Sequence, residues 1–246
     1  MSSVYDTIVI GAGPAGSSAA SVLAKAGLRT CLLDRSFFPR DKACGNLISG
    51  YCLSLLGRSL KASCVIGPVK GARILYKHNV EILHSEPIGV FALRRDFDVQ
   101  LLEWAVADGA EFLPQCHVVK IQQDAAGCQV VLADGRVLSS LTVIGADGAN
   151  GISVRHVRRV PHPKWKMGIA AVANIPLEAF KPEFRLPEGM MELDVASIKA
   201  GYGWTFQQGN MQNVGLGCSM LNGVGLKDRF ASVIRKKLIN PDTSIP

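Results

Sequence analysis

The stretch from Tyr5 to Arg35 constrains the fold more than any other part of the 246-residue chain. A β-branched apolar run leads into the turn GAGPAG at residues 11–16, and a segment rich in small residues with helical character follows. A second apolar run ends at Asp34, 18 residues after the last glycine. This order predicts a strand, a glycine-rich turn, a helix and a second strand, the β-α-β unit that binds dinucleotides.

Each glycine of the turn has a separate physical role. Gly11 permits the tight turn, Gly13 lets the backbone approach a pyrophosphate, and Gly16 lets the helix pack closely on the sheet. The helix N-terminus offers free N–H groups and a partial positive charge to phosphates. Asp34 is placed to accept hydrogen bonds from a ribose hydroxyl. The alternative is a glycine turn in an ordinary α/β protein, since the glycine spacing alone is a weak signal. The strand–turn–helix–strand context favours the dinucleotide site.

Composition and charge narrow the class of protein. A hydrophobic content of 48% with modest charge describes a globular chain. No apolar run approaches the roughly 18 residues needed to cross a bilayer, and strand one begins too early for a signal peptide. The seven cysteines are scattered and never form a C-x-x-C pair. We therefore expect reduced thiols in a cytoplasmic protein.

The net charge of +7 is partly local, because basic residues cluster in the segment RHVRRVPHPKWK at residues 155–166. One interpretation is an ordinary solvated face. The other is attraction to anionic lipid headgroups or to a substrate that carries a diphosphate. Nucleic acid is disfavoured as a partner, because no aromatic interleaving or known binding motif accompanies the charge.

Hydrophobic periodicity divides the remaining chain into two parts. The first part contains predicted helices at 47–56 and 95–108, strands at 90–93 and 141–145, a hairpin of 73–76 with 80–84 around His78-Asn79, and a meander of 118–122, 129–132 and 136–138. Beyond residue 161 come predicted strands at 167–174, 190–196, 203–206 and 213–218, and a helix at 226–238. We expect an α/β fold: a Rossmann-like dinucleotide domain over 1–160, with an inserted hairpin at about 71–93, and a second, mainly antiparallel β domain over 161–246.

Several motifs occur in an order that resembles one family. They are the glycine turn, the loop RDKACG at 40–45, the segment Arg94-x-x-Phe97-Asp98, the turn GADGA at 145–149 and the element GYGWTF at 201–206. The chain resembles the geranylgeranyl reductase-like flavoproteins, within the wider p-hydroxybenzoate hydroxylase-fold FAD oxidoreductases. The resemblance implies FAD as the cofactor, an FAD-binding first domain and a substrate-binding second domain.

The resemblance also implies roles for individual residues. The implied cofactor-binding set is Gly11, Gly13, Pro14, Ala15, Gly16, Asp34, Arg35, Cys44, Arg94, Asp147 and Gly148. The residues implied to line the flavin or the substrate are Cys44, Gly45, Tyr202 and Trp204. The catalytic residue itself is unknown, and no pattern of metal ligands appears.

Each of these assignments has a simpler alternative. Arg94 is implied to contact the pyrophosphate, where a guanidinium can bond two oxygens, but it could equally be a surface arginine. Asp147-Gly148 is also a common turn sequence. Cys44 is equally consistent with a buried, inert thiol. Tyr202 and Trp204, two residues apart, are what one face of any strand can show.

The activity implied by the resemblance is the reduction of carbon–carbon double bonds in an isoprenoid lipid or diphosphate. Reduced FAD would supply the hydride equivalent, with NAD(P)H or ferredoxin as electron donor and peripheral membrane contact through the basic segment. A flavin-dependent monooxygenase or halogenase on the same fold is the alternative enzyme. A halogenase should carry the pattern W-x-W-x-I-P, whereas Tyr202 stands at the first position and Gln207 replaces the proline.

The chain departs from the family pattern in four places. Fewer glycines follow Cys44-Gly45, Gln207 replaces a proline, and the segment DGANGISVR lacks a serine after Asn150, with Arg155 one residue late. The fourth departure is that the chain ends about where the family has a Gly-Asp-Ala turn and a helical region. We therefore expect a C-terminally truncated form of the fold, for which an FAD-binding remnant without activity is a third hypothesis.

Overall fold

The computed structural model describes residues 5–76, 79–84, 86–158, 160 and 162–240. His78 of the predicted hairpin turn and Arg159 of the basic segment lie outside the described residues. The described strands are, in chain order, β1 (Tyr5–Ile10), β2 (Thr30–Leu33), β3 (Leu47–Ser49), β4 (Val65–Val69), β5 (Gly71–Leu75), β6 (Val80–Leu83), β7 (Gly89–Ala92), β8 (Glu111–Leu113), β9 (Val118–Asp124), β10 (Gly127–Leu132), β11 (Val137–Gly145), β12 (Gly168–Pro176), β13 (Met190–Asp194), β14 (Gly201–Gln208) and β15 (Met211–Ser219). The α-helices are α1 (Pro14–Lys25), α2 (Gly50–Leu56), α3 (Arg94–Ala107), α4 (Ile152–Arg158) and α5 (Leu226–Lys237).

The chain divides into two compact units, and each contains two separate stretches of sequence. The first unit consists of Met1–Asp41 and Arg95–Pro161, and the second of Lys42–Arg94 and His162–Pro246. Residues 42–94, assigned to the first domain by sequence, therefore group with the second unit. The functions predicted for the two domains remain predictions.

The first unit is built on a six-stranded sheet in the order β8-β2-β1-β11-β10-β9. The first four of these strands pair in parallel, and β10 and β9 add an antiparallel meander. Strands β1 and β2 read as continuous apolar runs because both faces are covered. Helices α1 and α3 contribute Ala20, Leu102 and Ala105 to one core, against Val9 and Leu32. The predicted Rossmann-like α/β fold is confirmed.

Strand β11 corrects the predicted meander. The sequence predicts two separate strands at 136–138 and 141–145, whereas the structure has one strand from Val137 to Gly145. Its first half pairs antiparallel with β10 and its second half parallel with β1. The serines at 139 and 140 interrupt the apolar pattern, yet the Ser140 hydroxyl is buried and donates to the Thr142 carbonyl at 2.8 Å. Because this buried hydroxyl has a hydrogen-bond partner, the strand continues through Ser140, where the sequence predicts a break between two strands.

Two buried polar groups lie at the N-terminal end of this sheet. The Tyr5 hydroxyl donates to the Glu111 carboxylate at 2.8 Å. Burial raises the pKa of Tyr5, and the hydrogen bond to Glu111 adds to the shift. Burial, together with the charge of Glu111, raises the pKa of the Cys31 thiol to about 12. Both groups are therefore neutral at ordinary pH.

The second unit contains a six-stranded sheet in the order β12-β15-β14-β13-β5-β6. All its pairings are antiparallel except that of β13 with β5. Helix α5 covers one face, where Phe230 and Ile234 join a core with Val214 and Leu216. The predicted second, mainly antiparallel β domain is confirmed as part of the fold class.

A small sheet of β3, β7 and β4 belongs to the same unit and joins a separate core. Its Phe91 ring stacks on Phe206 with the ring centroids 5.8 Å apart. The predicted helix at 47–56 is wrong at its start, because Leu47–Ser49 pairs with β7 as a strand. Helix α2 begins only at Gly50, where the Ser49 side chain accepts a hydrogen bond from the Cys52 amide at 3.2 Å. That capping serine marks the true helix start.

Other predicted elements agree within a few residues. The hairpin of β5 and β6, the strand β7, the helix α3 and the strands β12 to β15 with α5 all form. Elements that the sequence did not predict are β4, β8 and α4. Strand β4 contains Gly67 and Pro68 and pairs with an irregular register, which explains the weak local signal.

No helix in the described part of the chain is long and apolar enough to cross a membrane. The same residues hold no group of three or more His, Cys, Asp or Glu side chains arranged around a metal position.

Candidate functional site

Two residues of the turn between β1 and α1 must be glycine, because the surrounding backbone leaves no room for a side chain there. Gly11 has a φ of +100°, and a Cβ there would lie 2.5 Å from the Ala146 carbonyl oxygen. A Cβ on Gly16 would lie 1.7 Å from the Gly11 carbonyl oxygen. Side chains at these positions would therefore collide with backbone. The predicted roles of Gly11 in the turn and of Gly16 in helix packing have a direct geometric basis.

Gly13 is different, because a Cβ there would meet only the Arg40 Nη2, at 3.6 Å. Its φ of −73° is open to any residue. The glycine is therefore not needed by the protein's own packing. A bare backbone at the helix N-terminus, with Pro14 and Ala15 opening α1 and no side chain capping it, fits the close approach of a pyrophosphate.

Asp34, at the end of β2, is directed at this turn. Its Oδ2 accepts a hydrogen bond from the Ala12 amide at 2.8 Å, and its Oδ1 accepts one from the Ser36 amide at 2.8 Å. Each carboxylate oxygen retains further acceptor capacity, so a ribose hydroxyl could still donate to it. Arg35 is exposed beside it. The structure therefore brings Asp34 to the glycine turn, as the predicted nucleotide site requires.

Arg40 is a basic group at this turn for which the sequence indicated no role. Its guanidinium is 3.3 Å from the carboxylate of the fully buried Asp98 and lies over the Phe38 ring, 4.8 Å from the centroid. These contacts hold a positive charge near Gly13, where a pyrophosphate would be bound. Arg40 belongs to the loop RDKACG, but no neighbouring residue indicates that its side chain would lie near the glycine turn.

Asp147 and Gly148 follow β11 and lie against the glycine turn, because the Ala146 amide donates to the Ile10 carbonyl at 2.8 Å. The Asp147 carboxylate accepts hydrogen bonds from the Ser153 hydroxyl and, at 3.1 Å, from the Ser153 amide at the start of α4. Its visible role is to cap that helix. A cofactor contact of Asp147-Gly148 remains a prediction.

Arg94 is the first residue of α3 and is half-buried. Its predicted contact with the pyrophosphate also remains a prediction.

In the second unit, the loop that carries Cys44 and Gly45 is held by side-chain amides. The Asn213 amide donates to the Cys44 carbonyl at 2.9 Å, and the Gln208 amide donates to the Gly45 carbonyl at 2.8 Å. Asn46, which has a φ of 63°, donates its side-chain amide to Gln208 at 3.0 Å. The loop is thus fixed against the β14–β15 hairpin rather than by a ladder of backbone hydrogen bonds.

The aromatic residues of β14 lie beside this loop. The Trp204 Nε1 donates to the Asn213 side chain at 2.8 Å, and a Cβ on Gly45 would lie 2.9 Å from the Phe206 ring. Tyr202 lies two residues before Trp204 in the same strand, and its ring centroid is 5.9 Å from that of Trp204. The structure therefore brings together all four predicted lining residues of the second unit.

The face of the large sheet that holds these aromatic residues is apolar, and part of it is exposed. The strand register places the following residues on that face: Val80, Ile82, Ala72, Ile74, Met191, Leu193, Tyr202, Trp204, Phe206, Gly215, Gly217, Ala170 and Val172. Phe206 is covered by the small sheet, whereas Tyr202 is 48% exposed and Val80 50%. The indole of Trp204 lies flat over Gly215, where a Cβ would be 1.9 Å from Cζ2. Such a face can bind a long hydrocarbon.

Gln207 explains one departure from the family pattern. Where a proline is usual, its buried side chain accepts from the Gly189 amide at 2.9 Å and donates to the Gly209 carbonyl at 2.6 Å. The buried amides of Gln207, Gln208, Gln212 and Asn213 were not predicted as site residues. Their only signal was the placement of polar residues inside the otherwise apolar strands β14 and β15.

Comparison with known proteins agrees with this geometry. Residues 4–46 match the model of the FAD binding domain, and this match confirms FAD as the predicted cofactor. A menaquinone reductase of Mycolicibacterium smegmatis is 33% identical over 234 residues, which are 88% of this chain and 56% of that protein. A geranylgeranyl diphosphate reductase of Rhodobacter capsulatus is 32% identical over 231 residues, 91% of this chain and 57% of that protein.

These matches confirm the predicted resemblance of the chain to the geranylgeranyl reductase-like flavoproteins.

Solved structures show the same fold for this flavoprotein. A geranylgeranyl bacteriochlorophyll reductase-like protein from Thermoplasma acidophilum has a TM-score of 0.79 at 24% identity and covers 95% of this chain and 62% of its own. The halogenase PltM has a TM-score of 0.74 at 19% identity, with 95% and 56% covered. At these identities the likeness concerns the fold alone. The chain spans a little more than half the length of the curated relatives it matches.

Proposed function

We propose that this flavoprotein reduces carbon–carbon double bonds of an isoprenoid lipid or isoprenoid diphosphate, with FAD as its cofactor. The observation that carries the proposal is the partly exposed apolar sheet face beside the Cys44-Gly45 loop. The names of its relatives, which include a geranylgeranyl diphosphate reductase and a menaquinone reductase, support the same substrate class, since menaquinone also carries an isoprenoid tail.

The sheet face is suited to an isoprenoid chain for two reasons. Apart from the amide side chains of Asn174, Gln208 and Asn213 at one end, its residues are mostly aliphatic, aromatic or glycine, so a hydrocarbon placed on it loses contact with water at a gain of about 25 cal/mol per Å². Gly215 lets the Trp204 indole lie flat on the sheet, and Gly217 leaves the neighbouring surface without a side chain. A methyl-branched chain could therefore lie along β14 with its double bonds near Cys44 and Gly45.

In the first unit, Gly13 offers backbone to the pyrophosphate, Arg40 offers a positive charge and Asp34 offers an acceptor to the adenosine ribose. Arg94 is proposed as a second guanidinium for the phosphates. When bound, FAD supplies the hydride equivalent for the reduction, and the protein's part is to orient it and to exclude water. NAD(P)H and ferredoxin are the proposed sources of electrons.

The basic segment at residues 155–166, which begins within α4, is proposed to attract a diphosphate or an anionic lipid surface. Lys164 and Lys166 flank Trp165, which is 63% exposed, and an exposed tryptophan between lysines is typical of contact with a membrane interface. All seven cysteines are free, which supports a reducing, cytoplasmic location. We therefore propose a cytoplasmic protein with peripheral membrane contact.

Anaerobic turnover tests the proposal directly. The chain is loaded with FAD, the flavin is reduced with dithionite, and either geranylgeranyl diphosphate or menaquinone is added. The expected result is a product heavier than the substrate by one pair of hydrogens for each double bond reduced, detected by mass spectrometry after any quinol has been reoxidised to the quinone in air. Reoxidation of the flavin without any change in substrate mass would contradict the proposal. Oxygen-dependent modification of the substrate would point instead to the monooxygenase or halogenase hypothesis, which Tyr202 and Gln207 disfavour.

A further inference from the structure

Asn213 links two parts of the proposed substrate site. It lies in β15 on the same sheet face as Trp204 and is completely buried. Its Oδ1 accepts from the Trp204 indole at 2.8 Å, and its Nδ2 donates to the Cys44 carbonyl at 2.9 Å and to the Asn174 Oδ1 at 2.8 Å. Because an indole can only donate, the orientation of the Asn213 amide is fixed by this partner. Both donor hydrogens and the acceptor are therefore in use.

Gln208 provides a second attachment to the same loop. Its amide donates to the Gly45 carbonyl at 2.8 Å and accepts from the Asn46 side chain at 3.0 Å. Consecutive carbonyls at 44 and 45 are thus held by side chains of one hairpin. Two adjacent peptide planes cannot rotate without breaking one of these partly buried hydrogen bonds, and each break has a cost.

We propose that Asn213 is a positioning residue, which holds the Cys44 main chain and the Trp204 indole in a single fixed arrangement. The loop proposed to line the flavin and the ring proposed to line the isoprenoid are then set by one amide. This inference rests on the proposed function for its catalytic meaning. Reacting groups need placement within a fraction of an ångström, and buried supporting hydrogen bonds are how proteins provide it.

The rate of Cys44 alkylation by iodoacetamide measures whether the loop is held. Asn213→Leu keeps the number and branching of side-chain heavy atoms but removes all three hydrogen bonds, so the half-buried Cys44 should react about tenfold faster. The exposed Cys52 is an internal reference whose rate should not change. Both cysteines lie on the tryptic peptide between Lys42 and Arg58, so fragment ions assign the label to one or the other.

Gln212→Met is the matched control. Gln212 is equally buried and next in sequence, but its side chain binds the Leu186 amide and the Phe184 carbonyl instead of the loop. Its loss should leave the Cys44 rate within about twofold of the parent, even if it lowers stability similarly. Equal Cys44 rates in Asn213→Leu, Gln212→Met and the parent would overturn the proposal. Should Asn213→Leu fail to fold, Gln208→Met tests the second attachment, and an unchanged Cys44 rate there overturns the proposal too.

Asn213→Asp distinguishes the hydrogen bond to Trp204 from the hydrogen bond to the Cys44 carbonyl. The carboxylate still accepts from the Trp204 indole but cannot donate to the Cys44 carbonyl. We expect parental tryptophan fluorescence together with faster Cys44 alkylation, and a lowered kcat at a nearly unchanged KM for geranylgeranyl diphosphate. A raised KM with unchanged kcat and unchanged alkylation would contradict a positioning role. Because alkylation needs no turnover, an inactive chain with the predicted alkylation pattern would refute the proposed function and leave the positioning role standing.

Discussion

The glycine turn of the first unit and the Cys44-Gly45 loop of the second are held by opposite means. The turn is fixed by the absence of side chains, since Gly11 and Gly16 leave no room for a Cβ. The loop is fixed by the presence of buried side chains, since Asn213 and Gln208 bind its carbonyls. In the first arrangement Gly16 packs on Gly11, five positions away, although Gly11 also packs on Ala146 of the neighbouring strand end. In the second, each hydrogen bond joins residues more than a hundred positions apart. The two should therefore respond to different substitutions.

The largest effect is expected from Gly16→Ala. The new Cβ would lie 1.7 Å from the Gly11 carbonyl oxygen, so the turn or the helix must move. We expect the free energy of unfolding to fall by about 3 kcal/mol or more, as for severe overpacking, measured by urea denaturation. Gly13→Ala is the control, because its Cβ meets only Arg40 and its stability should stay within about 0.5 kcal/mol of the parent. Parental stability in Gly16→Ala would contradict this description of the turn.

Arg40→Met should have the next largest effect. The substitution removes the guanidinium that lies 3.3 Å from the fully buried Asp98 carboxylate. Removal of this cation weakens the compensation of the buried carboxylate, and we expect a destabilisation of about 2 kcal/mol in thermal or urea unfolding. The double variant Arg40→Met with Asp98→Asn should recover part of that loss. Strict additivity of the two single variants would show that the pair is not coupled.

A smaller and more local effect is expected from Gly215→Ala in the second unit. Its Cβ would lie 1.9 Å from the Trp204 Cζ2, so the indole must tilt away from the sheet. We expect a shift in tryptophan fluorescence and a loss of about 1 kcal/mol of stability, in the lower range for overpacking. Gly217→Ala, whose Cβ would be no closer than 3.3 Å to its nearest neighbour, serves as the control. Identical spectra for the two variants would refute the proposed stacking of the indole on Gly215.

At neutral pH the smallest effect on stability is expected from Cys31, because its thiol titrates only in alkaline solution. Burial raises the pKa of Cys31 from its ordinary value of 9.0 to about 12, so the folded chain disfavours the thiolate. This contribution to stability is fully present below pH 9.0 and is lost as the pH rises towards 12. Cys31→Val should therefore show a shallower decline of unfolding free energy over that range in urea titrations. An identical decline in both proteins would mean that Cys31 does not titrate between the two values.

The sequence was most informative where the physical cause is local. The β-α-β unit, the positive φ of Gly11, the packing of Gly16 on Gly11 and the position of Asp34 follow from sterics and spacing within some thirty residues, and the structure agrees with them. The spacing of Tyr202 and Trp204 likewise indicated that the two aromatic side chains share one face of a strand.

Long-range partners were beyond the reach of local patterns. Asn213 bonds the Cys44 carbonyl 169 positions away, and nothing in the stretch MQN indicates which backbone group it will meet. The grouping of residues 42–94 with the second unit depends on the parallel pairing of β5 with β13, which has no local signature. Strand β11 was divided in the prediction because a satisfied buried serine looks like a break in the apolar pattern. The position of Arg40 depends on its ion pair with Asp98, which lies on helix α3, 58 residues further along the chain.

The central claim is that the glycine turn and Asp34 hold the adenosine part of FAD. Titration of purified, flavin-free protein with FAD, followed by flavin fluorescence and absorbance, tests it most directly. The parent chain should bind one FAD. Gly13→Ala, whose Cβ would obstruct the approach of the pyrophosphate, and Asp34→Asn, which loses a charge-assisted hydrogen bond to the ribose, should fold and bind FAD at least about tenfold more weakly. A folded parent that ignores added FAD, or an Asp34→Asn variant that binds FAD as tightly as the parent, would contradict the claim.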